Sequence, residues 1–341
     1  MDPTTNGITN TSNRIYDETF PNKISSSLIE TGFAITYLGT AFTIAVIGNG
    51  RIIFIICRKE CYHLPYFYII ASYAVADIIQ ALTSIPIMFF AFVINEGFDV
   101  PEFVCALTGI LSPGMVFISF HILTLMALER YYYFVRPLKY PLLFTTRNVI
   151  IIEAILWSLM LLFSTGIHFA DPRKFYTSVI QCQSPSAGII IYIQIICYLL
   201  PALIGALFSI IKLWSLRTSH QARVQDNTDK NNKSQNKQRG AALKIIILTS
   251  GLFWITYLPP GLFRMIVFAR GITLEELDKF TSPELSYSFR YLNIVLFTLS
   301  SVINPFIYLY THKPLRRHFF GRFYWVKQQD NGTTNTSGNV Y

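Results

Sequence analysis

Residues 105–127 read CALTGILSPGMVFISFHILTLMA, and residues 128–140, which follow without a break, read LERYYYFVRPLKY. The first stretch holds no Asp, Glu, Lys or Arg. As a helix rising about 1.5 Å per residue, it is long enough to cross the roughly 30 Å of hydrocarbon in a bilayer. The same character recurs along the chain over roughly 32–57, 66–94, 101–134, 149–170, 188–215, 241–269 and 288–311, here called spans 1 to 7. Buried helices of soluble proteins usually run about 8–20 residues and keep a polar face. These segments are longer and apolar all round. The 341-residue chain is 52% hydrophobic and 14% charged, whereas soluble domains are about 25% charged. The expected fold is therefore an all-α membrane protein, a seven-transmembrane helix bundle.

The net charge of +9 raises the question of nucleic acid, and its placement answers it. Most Lys and Arg fall after spans 1, 3, 5 and 7, whereas the opposite side holds only Arg14, Lys23, Arg173, Lys174, Arg270 and Lys279. Basic connections stay in the cytoplasm, which puts the N-terminus outside and the C-terminus inside. The charge then serves anionic lipid of the inner leaflet, and no nucleic-acid partner is expected.

Residues 1–31 form an extracellular tail without the basic start and apolar core of a cleaved signal peptide, so span 1 is expected to insert the chain. Asn10 opens the glycosylation sequon Asn10-Thr11-Ser12. Residues 32–311 form one membrane domain, within which 217–240, RTSHQARVQDNTDKNNKSQNKQRG, reads as a flexible cytoplasmic loop. Residues 312–326 alternate basic and aromatic side chains, which suits a short amphipathic helix on the inner leaflet after the seventh span. Residues 327–341 are expected to be a disordered cytoplasmic tail, either unmodified or phosphorylated at Thr333, Thr334, Thr336 or Ser337. Cys105 and Cys182 share the oxidising side, where a disulfide or two free thiols can exist, and the disulfide is expected.

An ionisable side chain at mid-span costs roughly 2.5–3.5 kcal/mol on insertion scales, so Asp77 needs a partner or a purpose. Asn49, Ser119, Ser300, Ser301 and Asn304 stand at similar depth on other spans. A carboxylate ringed by such oxygens can hold a proton or a hard cation such as sodium. The same residues can form a neutral hydrogen-bonded knot, and the two roles are compatible. Pro86, Pro201, Pro259 and Pro305 lie deep in spans, where each bends its helix.

In chain order, Gly48-Asn49, Asp77, Cys105, Glu129-Arg130-Tyr131, Pro137-Leu138, Trp157, Cys182, Pro201, Phe253 with Pro259, and Asn304-Pro305 with Tyr308 resemble the rhodopsin-like family of G-protein-coupled receptors. The resemblance runs from about Asn49 to Phe320. It implies a plasma-membrane receptor that binds an extracellular ligand and activates a heterotrimeric G protein, with arrestin and a receptor kinase as further partners at the tail. It makes Glu129, Arg130, Tyr131, Pro137, Leu138, Asn304, Pro305 and Tyr308 the coupling and activation switch. Arg130 would release Glu129 and face the G protein, and Leu138 would insert as an apolar plug. Phe120, Pro201, Phe253 and Pro259 would form a core switch.

Several positions depart from the family pattern. Arg239, or Gly240 if Pro260 is the anchor, stands where many members carry an acid that clamps the arginine, and either residue implies ligand-free signalling. Tyr257 replaces the tryptophan two residues before the span 6 proline, and Trp254 is expected on a different face. His121 is expected within reach of Trp157 or Glu153. Ser112 stands where amine receptors carry an aspartate and Thr298 where opsins carry a lysine, so neither an amine nor retinal is expected. Candidate pocket residues are Ser112, Val116, Ile193, Tyr257, Arg264, Arg290, Ile294 and Thr298. Arg264 and Arg290 either snorkel to headgroups or favour an acidic ligand or peptide carboxylate. The chain shows no HExxH spacing and no paired catalytic acid and base, so no enzymatic activity and no cofactor beyond sodium at Asp77 are expected.

Overall fold

The computed structural model describes residues 28–59, 62–94, 100–170, 174–176, 181–183 and 283–321, with single positions from 200 to 214 and most of 244–270; the side chains of 28–30, 94, 175, 176, 183 and 283–290 are excepted. Among the described residues, five helices are long and apolar enough to cross a membrane. Span 1 is Leu28–Arg58, span 2 Pro65–Ile94, span 3 Glu102–Val135, span 4 Thr146–Ala170 and span 7 Pro283–Thr311. The described positions of spans 5 and 6 are helical, including an apolar run over Ile247–Phe263.

Each helix turns one apolar face inward and another to the lipid. Ile52, Ile69, Tyr73, Met115, Ile122, Met126 and Tyr308 build one core, and Leu38, Ala45, Ile85, Met88, Phe92 and Ile294 build a second. Phe33, Ile47, Leu162 and Phe306 are exposed, as hydrocarbon-facing side chains should be. Lipid tails are as apolar as Leu, so the helices are held together by close packing and hydrogen bonds rather than by escape from water. Gly48 shows the packing: a Cβ there would come within 3.1 Å of the Pro305 ring, tighter than most side-chain contacts, so glycine eases the close approach of span 7 to span 1. Thr36, Thr40 and Thr43 face outward and spend their hydroxyls on carbonyls of their own helix, of Gly32, Thr36 and Gly39.

Spans 1 and 7 start earlier than expected, at Leu28 rather than 32 and at Pro283 rather than 288, and two further elements depart from the expected outline. Span 4 begins at Thr146 rather than near 149, because Thr145 caps it by accepting the Asn148 backbone N–H at 3.1 Å. A short helix, Tyr140–Leu143, precedes it with Pro141 in its first turn, and the Asn148 amide donates to the Leu143 carbonyl behind it at 3.1 Å. The bundle is also not wholly helical. Lys174–Tyr176 and Gln181–Gln183 form an antiparallel pair with Phe175 opposite Cys182. This hairpin lies against span 3, where Cys182 bonds Cys105 with Cα atoms 5.3 Å apart. Ile87 and Val100 pack around the bridge.

After span 7, Lys313–Phe320 forms the short amphipathic helix with Leu315 buried. Gly321 ends it at φ 45°, a conformation that suits glycine, and returns its N–H to the Arg317 carbonyl. Tyr62, between spans 1 and 2, meets His318 of this helix at 2.9 Å, and Arg51 of span 1 lies over the Phe319 ring. Residues 1–27, the 217–240 loop, residues 322–326 and the 327–341 tail lie outside the described residues, whereas residues 28–31 of the expected N-terminal tail belong to the first helix.

Candidate functional site

Glu129 is fully buried and the Arg130 side chain is 15% exposed, so the pair is not a solvated surface contact. Arg130 grips Glu129 with two donors: Nε meets Oε2, and Nη2 meets Oε1 at 2.8 Å. The Tyr140 hydroxyl also donates to Oε1, at 2.7 Å. Burial, and then the Glu129 charge, push the Tyr140 hydroxyl above its ordinary titration range, so it stays a donor. The guanidinium lies 3.8 Å from the Tyr66 ring centroid, a cation–π contact that binds the cation through the ring quadrupole. Tyr66, Tyr140 and His312 are members of this site that the sequence did not single out.

The Tyr66 hydroxyl and His312 Nε2 are 3.3 Å apart. Burial, and then the charge of Arg130, lower His312 from 6.5 to about 4. Folded His312 is therefore neutral at physiological pH. Between 6.5 and about 4 the unfolded chain takes up this proton before the folded one does. Stability present above the upper value is thus lost as pH falls through the lower. The melting temperature of the purified protein should fall across this window, and His312→Gln should flatten the fall; an equal slope in the variant would remove His312 from the account.

Around this pair, Tyr131 and Tyr308 are buried, Pro305 is buried against Gly48, and Pro137 is exposed. Leu138 is 89% exposed just past the end of span 3, with Leu142 also exposed beside it.

At mid-span the Asn304 amide donates to Asp77 Oδ2 at 2.8 Å. The Asn49 amide donates to the Ala45 and Ser301 carbonyls at 2.9 and 3.0 Å, joining span 1 to span 7. Ser119 and Ser301 are buried, and the Ser300 hydroxyl is 3.1 Å from that of Tyr257. Asn49 Oδ1 and Asn304 Oδ1 are buried with no partner among the described residues. A carboxylate beside unsatisfied amide oxygens is a donor set that fits a hard cation and its waters.

Toward the disulfide end, two of the expected pocket positions are hydrogen-bonded to neighbouring helices. Ser112 accepts hydrogen bonds from Gln80 and Ser84, and Thr298 lies 2.7 Å from the Tyr37 hydroxyl. Val116 is half-buried, and Ile294 is packed in the second core. Ile193 and Arg264 lie outside the described residues, as do Pro201, Phe253, Arg239 and Asn10, and so does the Arg290 side chain.

Two expectations about the bundle centre need correction. Trp254 does not point to a separate face: its ring meets Phe120 edge-on at 5.6 Å, and Tyr257 packs against the same core. Residues three apart share a helix face, which explains it. Pro259 is exposed, whereas Pro260 is buried. The partner that Trp157 and Glu153 reach is Ser72: Trp157 donates to its hydroxyl at 3.0 Å, and that hydroxyl donates to Glu153 at 2.8 Å. His121 Nδ1 sits 2.9 Å from the Phe117 carbonyl of its own helix.

A family model described as 7 transmembrane receptor (rhodopsin family) matches residues 48–308. The mouse melatonin receptor type 1A is 25% identical over 240 residues, covering 68% of this chain and 66% of that one. A zebrafish melatonin receptor type 1B-B is 23% identical, with 63% of its length covered. The chain thus spans just under two thirds of the length of these relatives. The mouse neuromedin-U receptor 2 is 25% identical over 305 residues, covering 82% and 72%. The crystal structure of squid rhodopsin superimposes with a TM-score of 0.68 at 18% identity, covering 90% of each chain, and this likeness shows a seven-helix bundle.

Proposed function

The chain belongs to the rhodopsin family of seven-transmembrane receptors, and from that premise we propose that it binds a ligand outside the plasma membrane and activates a heterotrimeric G protein inside. The observation that carries the proposal is the juxtaposition at the Arg130 end: a buried, doubly bonded Glu129–Arg130 pair beside an exposed Leu138. The pair is a restraint that can be released, and the leucine is an apolar surface for the partner. Disulfides persist in oxidising compartments, which supports an arrangement with that end outside, the N-terminus with it, and the Arg130 end and C-terminus in the cytoplasm.

In this assignment Glu129, Arg130, Tyr131, Pro137 and Leu138 face the G protein, and Asn304, Pro305 and Tyr308 rearrange behind them. Phe120 with Trp254 couples the ligand side to this end. Asp77 binds sodium in the resting state, aided by Asn49, Ser119, Ser300, Ser301 and Asn304. Arrestin and a receptor kinase act at residues 327–341, and Asn10 is glycosylated. The ligand is a peptide or a small acidic or apolar molecule rather than an amine or retinal. Relatives are named for melatonin and neuromedin U, so these two compounds open the ligand screen.

The test is ligand-dependent nucleotide exchange on purified G proteins of each subtype, added to membranes containing the full chain. A ligand that accelerates exchange is expected. Solute flux with no exchange on any subtype would overturn the receptor function.

A further inference from the structure

Gln80, Ser84 and Ser112 form a network across spans 2 and 3 whose hydrogen-bond inventory leaves two functions over. Gln80 Nε2 donates to Ser84 Oγ at 3.1 Å and to Ser112 Oγ at 3.3 Å. Ser84 Oγ then donates to Ser112 Oγ at 3.1 Å. A hydroxyl carries one donor and two acceptor sites. Ser112 has filled both acceptor sites, and its own proton is committed to none of the described residues. Gln80 is only 4% exposed, yet its Oε1 has no partner among them. Buried carbonyl oxygens are nearly always paired, so an unpaired one needs a reason.

The position gives the reason. Ser112 lies seven residues in from Cys105, and Gln80 three residues past Asp77, so the network sits about 10 Å below the disulfide and about 4.5 Å above the Asp77 level. Gln80 and Ser84 are buried while Ser112 is half-buried, which makes Ser112 the open edge. A leftover acceptor beside a leftover donor selects among ligand groups. An ammonium has nothing for the Ser112 proton to bond, and a carboxylate would set acceptor against acceptor at Gln80. An amide supplies an N–H and a C=O on neighbouring atoms.

We propose that Gln80 and Ser112, oriented by Ser84, form an amide-recognition subsite in which Gln80 Oε1 accepts the ligand's N–H and the Ser112 hydroxyl donates to its carbonyl. The subsite rests on the receptor function proposed above and narrows the ligand to one carrying an N-acyl or peptide amide at this depth. Sites built to bond a polar group reject analogues that lack it.

The experiment measures thermal stabilisation of the purified full chain in nanodiscs, without G protein. Its probes are N-acetylphenethylamine, the matching ester phenethyl acetate, and N-acetylphenylalanine methylamide as a peptide fragment. The amides should stabilise the protein at concentrations on the order of tenfold below the ester, the ratio expected for a net neutral hydrogen bond. Gln80→Leu and, separately, Ser112→Ala should erase that ratio. A response to the first amide alone assigns a small N-acyl ligand, and a response to the third probe alone assigns a peptide. Equal shifts by amide and ester, no shift by any probe at saturation, or an unchanged ratio in both variants would overturn the proposal. Because the readout omits G protein, a chain that fails to couple still reports on the subsite, and loss of amide preference leaves nucleotide exchange as an independent test of coupling.

Discussion

Replacing Arg130 with alanine is expected to reduce ligand-dependent nucleotide exchange at least about tenfold, the kinetic equivalent of one lost charge-assisted hydrogen bond of roughly 1.5–3 kcal/mol. Ligand binding should persist, because Arg130 lies at the end of the bundle away from the disulfide. The variant should also lose stability, by about 3–5 kcal/mol if Glu129 stays ionised, since removing one partner of a buried pair strands the other. Glu129 would retain only the Tyr140 hydroxyl among the bonds described. Two variants at Tyr66 separate the ring from its hydroxyl. Tyr66→Phe keeps a face for the guanidinium and should couple nearly normally, whereas Tyr66→Ala removes the platform and should raise ligand-free exchange. Full exchange by the Arg130→Ala protein at normal surface levels would sink the assigned role.

The second large effect belongs to Asp77. Asp77→Ala removes the acceptor of the Asn304 amide and leaves that donor buried and unpaired, at about 1–3 kcal/mol. Asp77→Asn keeps the size and an acceptor oxygen but carries no charge. The expected pattern is a melting temperature that rises with sodium chloride, relative to equal choline chloride, in the unaltered protein. In Asp77→Asn that sodium increment should vanish while the fold survives. An increment of the same size in both proteins would show that sodium acts elsewhere, and a missing increment in the unaltered protein would leave Asp77 to the neutral knot.

The bundle was legible in the sequence because its causes are local or additive. Apolar run length, the side on which Lys and Arg collect, and single marks such as Pro305 each carry their meaning without knowledge of neighbours. Even the early start of span 4 was written in Thr145 with Asn148 three residues on. The composition of the sites was less legible, because a site is a meeting of distant residues. Nothing in the local sequence of Tyr66 says that its ring lies under a guanidinium on another helix. The partnership of Ser72 with Glu153 and Trp157 likewise needs the packing of spans 2 and 4. The placing of Trp254 was recoverable: helical periodicity alone sets residues 254 and 257 on one face, and reliance on the family's proline position obscured it. The hairpin at Lys174–Tyr176 is short and lacks an apolar alternation, so only its tie to Cys105 distinguishes it from an irregular loop.

The contacts that seat the terminal amphipathic helix have a mechanical consequence. Tyr62 is tied to His318, Tyr66 to His312, Arg51 to Phe319, and Gly48 is pressed on Pro305. Spans 1 and 2, span 7 and the terminal helix are thus tied to one another at four places. In the proposed receptor, the rearrangement of Asn304, Pro305 and Tyr308 would load these ties, while the wider opening of the inner mouth would fall to the helices outside them, with Arg130 at the seam.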